Sequence, residues 1–513
     1  MTLAELLERA ALRHPEATAV VDGARRLTYA DLASQAAALG AGFASLGVAR
    51  GDRVLIALKN RLEHVLAYWA LQMIGGVATP VNFRLAAREL RYMLDDCGAR
   101  VALFEPSTAA AMTEAAEGWA GRLVFAGDQT PPGAIGLSEL TSPAAGAAPR
   151  EVIEGDLSLI LYTSGTTGRP KGVPRTHRNH HAGALAHVIQ CGYQWGESTL
   201  GVMPLYHTMG IHSLTSMAAV NGCFVCQADW SADTALSLVE RERLTALYLI
   251  PTLYHDLVHW PGFRPERVAS VRKLAYAGAP MLAALTETCV KAFHPEVFVN
   301  HYGSTEIYTF SVFPGVAAKP GCAGRPGIHS KLRVVTASTE RRVGHDEAVP
   351  PGEKGEIIAG LDSDEAFAGY WNRPDADARA LRDGWYFTGD MGYVDEAGDL
   401  YVSGRVDDMI ISGGENIHPV EVEEVLARHP QVRDVAVVGE PDEKWGERVV
   451  AFVVAAGPAL TSSALDRYCV ESADLANFKR PRRIVFVEQI PKTASGKILR
   501  RLLREGQYVE VRP

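Results

Sequence analysis

A chain of 513 residues, 47% hydrophobic and 22% charged, is long enough to build more than one core, so several domains are expected. Its formal net charge of −9 argues against a general nucleic-acid or membrane-surface binder. Its 7 cysteines, scattered and odd in number, argue against a disulfide framework. No apolar run reaches membrane-spanning length, and a reducing cytoplasm is the expected compartment.

The opening stretch MTLAELLERAALRHPEAT reads as an amphipathic helix bearing acids and bases, without the apolar core and cleavage site of a signal peptide. Residues 54–105 then alternate. VLIALKN is a predicted strand, RLEHVLAYWALQMIGG a helix ending at glycines, VATPVN a short strand, AARELRYMLDDCG a helix and ARVALFE a strand. That alternation predicts βαβ units and a parallel sheet. GAGFASLG, from Gly40 to Gly47, has the wrong spacing for a dinucleotide loop and lies in a helical pattern. Residues 127–150, rich in Ala, Pro and Gly, read as a surface connection.

The run LSLILYTSGTTGRPKG is a predicted strand that breaks into a loop. Thr163, Ser164, Gly165, Thr166, Thr167 and Gly168 crowd small hydroxyls onto flexible backbone, and Lys171 adds a cation. Such a loop suits phosphate. It is not a Walker A loop, because no Gly-Lys-Ser/Thr follows at the required spacing. The histidines of THRNHHAGALAH (His177, His180, His181, His187) lack a complete metal-ligand set and read as a partly exposed helix start. Cys223 and Cys226 form a CxxC with apolar flanks and no second ligand pair, which suggests a buried strand rather than zinc or redox chemistry.

Beyond residue 405 the texture changes. PVEVEEVLARHP predicts a short helix opened by Pro419 and stopped by Pro430, with Val422, Val425 and Leu426 as its apolar stripe. Strands VRDVAVVG and RVVAFVVA follow, then a helix near 462–476 and the strand RIVFVEQI. The fold class expected is α/β. It comprises a large N-terminal domain (1–406) of βαβ-type parallel or mixed sheets and a small α+β C-terminal domain (407–513), joined by a hinge in GRVDD, residues 404–408.

YTSGTTGRPKGV, MPLYHTMG, HYGSTEI, WYFTGD, GRVDDMIISGGENIHPVEVE and PKTASGKILRR occur in this order. Together they resemble the adenylate-forming superfamily of acyl-CoA synthetases, luciferases and amino-acid adenylation domains, over essentially the whole chain. Within it, GRVDDMIISGGENIHP, DSDEAFAGYWNRP, MPLYH and ANFKRPRR are most similar to the aryl-CoA ligases. The resemblance implies ATP, Mg²⁺ and coenzyme A, and a two-step ligation through an acyl-adenylate.

By the same resemblance, Lys497 is the adenylation lysine and Glu306 the magnesium-associated acid. Thr305 meets the α-phosphate, Asp390 takes the ribose hydroxyls, and Arg405 and Tyr302 are further nucleotide contacts. Asp407 is the pivot of a rotating small domain, and Gly414, beside Gly413, lines the pantetheine tunnel. Arg84, Trp445, Phe478, Lys479 and Arg480 match CoA contacts. The acid pocket is implied to be His207, Thr208, Met209, Ile250, Ala279, His301, Gly303, Tyr308 and Thr309, with His207 bordering both the acid and the thiol. No carboxylate stands near MPLYHTMG for a substrate ammonium, so a plain carboxylic acid is expected, and no carrier-protein domain follows. His301, Tyr308 and Thr309 are more polar or bulkier than a halogenated-ring pocket calls for. They fit a benzoate with a polar substituent or a small heteroaromatic acid such as 2-furoate. A medium-chain or alicyclic acid, or delivery to a carrier protein, stays open. The expected partners are a small acid, ATP and CoA, with neither nucleic acid nor membrane; a homodimer is left open.

Overall fold

The computed structural model describes residues 1–140, 151–163, 170–338, 341–412, 415–472, 474–493 and 496–511. Ser164, Gly165, Thr166, Thr167, Gly168, Gly413 and Gly414, singled out in the sequence, lie outside the described residues.

Two large sheets dominate the first four hundred residues. One runs, in spatial order, Arg325–Pro326, Ser311–Phe313, Val297–Tyr302, Lys273–Tyr276, Ala246–Leu249, Ser198–Gly201, Cys223–Cys226, Thr18–Asp22 and Arg25–Thr28. From Val297–Tyr302 to Thr18–Asp22 every pairing is parallel. The other runs Ala134–Gly136, Arg122–Phe125, Val101–Phe104, Arg53–Ala57, Val77–Pro80, Leu157–Thr163 and Lys171–Thr176. It is parallel except for its last pair, an antiparallel hairpin in which Thr163 faces Lys171. The Leu62–Ile74 helix is mostly apolar and buried on nearly every side, with Trp69 at 0% and Tyr68 at 1% exposure. Gly75 ends it in the left-handed conformation, φ 71°.

A third, antiparallel sheet centres on Trp385–Val394, which pairs with Gly355–Gly360 and with Leu400–Arg405. The small domain has its own sheet, ordered Glu415–Ile417, Ile410–Ser412, Gly446–Ala455 and Val432–Asp442, with Arg483–Phe486 parallel to Gly446–Ala455. The Pro419–Ala427 helix packs Val422, Val425 and Leu426 onto a core separate from that of the large domain. A mixed α/β architecture with a smaller C-terminal domain is therefore what the molecule adopts.

Three expectations need correction. His177, His180 and His187 are buried rather than part of an exposed helix start. The His177–Gln190 helix is wedged against the N-terminal helix and the Thr208–Ala219 helix, and His177 Nδ1 accepts the Leu3 amide at 3.2 Å. The 127–150 connection is partly structured: Leu137 and Leu140 of a short helix are buried. The helix near 462–476 ends at Glu471, where Ser472 turns extended. Cys223 and Cys226 lie in a strand, as expected, and carry no disulfide.

Candidate active site

The residues predicted from the motifs gather where strands end. Met203–His207, Ile250, Ala279 and Tyr302–Thr305 all follow the carboxyl ends of neighbouring parallel strands, the edge at which open α/β sheets bind ligands. The 302–310 segment folds back on itself: the Ser304 amide donates to the Ile307 carbonyl (2.9 Å) and the Phe310 amide to the Tyr302 carbonyl (2.8 Å). A Cβ on Gly303 would lie 1.8 Å from the Tyr308 carbonyl oxygen, so only glycine allows this turn.

That turn presents Thr305 and Glu306. Buried Arg175 donates through Nη1 to the Thr305 carbonyl at 2.5 Å and so fixes the loop from behind. The Thr208 hydroxyl donates to the Thr305 hydroxyl at 3.4 Å, tying the loop to the helix that begins just after His207. Glu306 Oε1 accepts the Tyr370 hydroxyl at 2.7 Å. Lys171 Nζ lies 4.1 Å from the centre of the same tyrosine ring. Burial lowers the Lys171 pKa from the ordinary lysine value, while Glu306 opposes the shift. Lys171, at the start of the Lys171–Thr176 strand, and the acid of YGSTE thus meet across one ring.

Asp390 and Arg405 are cross-strand partners. Asp390 accepts from Arg405 Nη1 and from the Tyr302 hydroxyl, each at 2.7 Å. Burial alone would lower the Arg405 pKa, but Asp390 outweighs it and raises it. Lys497 remains accessible to solvent, yet the surrounding protein desolvates its ammonium enough to lower its pKa. Arg405 deepens that shift, and Asp390, Asp408 and Glu306 oppose it. The small domain's lysine is therefore within electrostatic reach of Asp390 and Glu306 of the large domain. A Cβ on neighbouring Gly496 would come within 3.0 Å of Ile250 Cδ1.

A second cluster lies behind Thr305, between the His177–Gln190 helix, the Thr208–Ala219 helix and the Val297–Tyr302 strand. The Tyr308 ring stacks on His212 with centroids 3.4 Å apart. Its hydroxyl bonds His187 Nδ1 at 2.9 Å and Tyr248 at 3.2 Å. Cys191 Sγ sits 3.8 Å from His187 and 3.7 Å from His301 Nε2. These three donors lie within 4.8 Å of one another, one short of the four protein ligands of a closed zinc site. Burial pushes His301 down to about 4 and lowers His187 and His212 well below the ordinary histidine range. It also pushes His207 down to about 4. Thr309 and Met209 are buried, and the Thr309 amide donates to Glu365 at 3.0 Å.

Other predicted positions stand apart from the cluster. Arg84 is exposed, its guanidinium 4.5 Å from the Phe83 ring. Trp445 and Phe478 are exposed on the small domain, with Arg482 over Trp445 at 5.7 Å. Lys479 pairs with Glu421, and Arg480 with Asp466 at 3.0 Å. Asp407, in the short turn Val406–Asp408, keeps its carboxylate largely in solvent, whereas Asp408 binds Arg500 at 3.5 Å and Arg504 at 3.2 Å. Reading motifs alone missed Arg175, His187, Cys191, His212, Tyr248 and Tyr370. For His187 and Cys191 a signal existed, an i, i+4 polar pair on one helix face.

The family described as AMP-binding enzyme matches residues 7–371, and the AMP-binding enzyme C-terminal domain matches residues 421–497. A 4-chlorobenzoate–CoA ligase of Arthrobacter sp is 35% identical over 98% of this chain and 95% of its own. A long-chain-fatty-acid–CoA ligase of Mycobacterium tuberculosis is 33% identical over 94% of this chain and 93% of its own. The structure of an anthranilate CoA ligase in complex with anthranoyl-AMP superposes with a TM-score of 0.89 at 28% identity, over 99% of this chain and 97% of that one. The chain belongs to the AMP-binding enzyme family: it is an adenylate-forming, AMP-releasing acid–thiol ligase that uses ATP, Mg²⁺ and coenzyme A.

Proposed function

We propose that this ligase activates a small aromatic or heteroaromatic carboxylic acid. The observation that carries the reading is the shape of the cluster behind Thr305. Five pairs among the rings of His187, Tyr248, His301 and Tyr308 have centroids 4.7–6.1 Å apart, and His212 stacks on Tyr308. Aromatic rings beside an acid site suit a planar acid, whereas a flexible chain is better matched by aliphatic side chains.

In the first step a carboxylate oxygen attacks the α-phosphorus of ATP, and the bond to the β-phosphate breaks to release pyrophosphate. Negative charge builds on the phosphates, so Lys497 and Lys171 contribute cations aimed at it. Asp390, held by Arg405 and Tyr302, accepts the ribose hydroxyls. Thr305, anchored by Arg175, donates its hydroxyl toward the α-phosphate. Glu306 fits magnesium: Tyr370 occupies Oε1 only, and Oε2 has no hydrogen bond among the described residues. A carboxylate oxygen completed by phosphate and water oxygens is a usual Mg²⁺ shell, and the bound ion supplies positive charge to the phosphate oxygens. In the second step the CoA thiol attacks the acyl carbonyl, AMP departs with the former carboxylate oxygen, and the thiol proton passes to solvent. His207, neutral through burial, borders the path of both acid and thiol. Rotation about Asp407 withdraws Lys497 and opens that path.

The test is a panel of carboxylic acids scored for ATP- and CoA-dependent AMP formation. Ring acids should exceed hexanoate and decanoate in kcat/KM. Preference for the chain acids would overturn the reading.

A further inference from the structure

We infer that the acid this enzyme selects carries an uncharged oxygen or nitrogen acceptor on its ring, remote from the carboxylate, and that a Tyr248–Tyr308–His187 relay together with His301 reads it. The inference rests on the ring-acid reading above and adds what the ring must bear.

The relay contains three hydrogens on polar atoms when its imidazole is neutral: one on each tyrosine hydroxyl and one on His187. The two observed hydrogen bonds, at 2.9 Å and 3.2 Å, use two of them. If both hydroxyls point toward His187, its Nε2–H remains. If they point the other way, the Tyr248 hydroxyl remains. Either polarity leaves one buried donor outside these two hydrogen bonds, and at the His187 end its partner is the Cys191 sulfur at 3.8 Å, a weak one.

A second buried site points the same way when its Nδ1 carries the ring proton. His301 is 3% exposed, and its Nδ1 has no hydrogen bond among the described residues. Its ring centroid lies 5.1 Å from that of His187 and 5.7 Å from that of Tyr308. Buried polar atoms without partners are unfavourable, so a ligand that completes them is selected over one that does not. Sites built to hydrogen-bond a substrate reject analogues lacking the group far more strongly than apolar pockets reject an extra methylene. Neutral imidazoles offer no formal charge to a second anion, and Glu365 and Glu306 flank the one buried guanidinium nearby, Arg175. A second carboxylate is therefore disfavoured.

The test compares kcat/KM within three matched pairs: furan-3-carboxylate against thiophene-3-carboxylate, pyridine-3-carboxylate against benzoate, and 4-hydroxybenzoate against 4-methylbenzoate. Terephthalate serves as the dianionic arm. In at least one pair the acceptor-bearing acid should win by about tenfold or more, and terephthalate should trail benzoate. Tyr308→Phe keeps the ring on His212 and removes the hydroxyl, and His301→Leu removes the unpartnered nitrogen. Each should bring the winning ratio to within about twofold. Flat ratios with ring acids still preferred over hexanoate overturn this inference alone and leave the ring-acid reading standing. A ratio that survives both substitutions, or terephthalate as the best acid, also overturns it. Preference for hexanoate over every ring acid overturns the ring-acid reading itself.

Discussion

At the scale of single residues, the proposed chemistry depends on charges brought together from distant parts of the chain. Lys497 is the sharpest case. Its ammonium is desolvated and faces Arg405, which lowers its pKa, while Asp390, Asp408 and Glu306 hold the charge in place. Lys497→Ala should cut the acid- and ATP-dependent release of pyrophosphate by about 10²-fold, the scale of a lost transition-state contact. It should largely spare thioester formation from supplied acyl-AMP, and equal loss in both half-reactions would remove Lys497 from the adenylation step. The active form is the protonated one. Because its pKa is depressed, adenylation should decline as pH rises through a value below the usual lysine value of about 10.4. Lys497→Arg should carry that alkaline limb upward, read from the pH profile of pyrophosphate release.

At the scale of elements, the proposed hinge is a short turn between two strands. Asp407 sits in a three-residue turn between the strand carrying Arg405 and the small domain's first strand, with its carboxylate largely in solvent. Asp408 next to it is anchored by Arg500 and Arg504. Asp407→Pro locks φ near −65° and removes a backbone donor. Pyrophosphate release should persist while the CoA step slows by tenfold or more, measured as separate half-reactions; unchanged rates in both would exclude Asp407 as the pivot. Much of this was legible in the sequence. Strand–helix alternation, the caps of Pro419–Ala427 and the motif residues Glu306, Asp390 and Lys497 are signals confined to short windows. The second cluster was only half legible. His301 and Tyr308 sit beside YGSTE, but His187, Cys191, His212 and Tyr248 come from two helices and a strand whose local pattern is that of ordinary core. Their meaning arises from tertiary packing, and the same packing turned an expected exposed helix start into buried histidines.

At the scale of the whole molecule, one link between the two domains is a shared carboxylate. Lys354 of the large domain and Lys479 of the small domain share the carboxylate of Glu421. The proposed rotation of the small domain would break the Lys354 half of that bridge and carry Glu421 and Lys479 away together. Partly exposed pairs of this kind are weak, so Glu421→Gln should lower adenylation only about two- to fivefold, without slowing thioesterification of supplied acyl-AMP. High salt should narrow the difference between variant and wild type. A parallel fall in both half-reactions would deny the bridge a role in choosing between arrangements. The central claim, that a carboxylate is activated at the α-phosphorus and then passed to CoA, has a direct isotopic test. The preferred ring acid, labelled with ¹⁸O in both carboxylate oxygens, is turned over with ATP and CoA, and the products are weighed by mass spectrometry. The account predicts one ¹⁸O in AMP, one retained in the thioester carbonyl, and none in pyrophosphate. Unlabelled AMP, or label in a phosphate released with ADP, would contradict it.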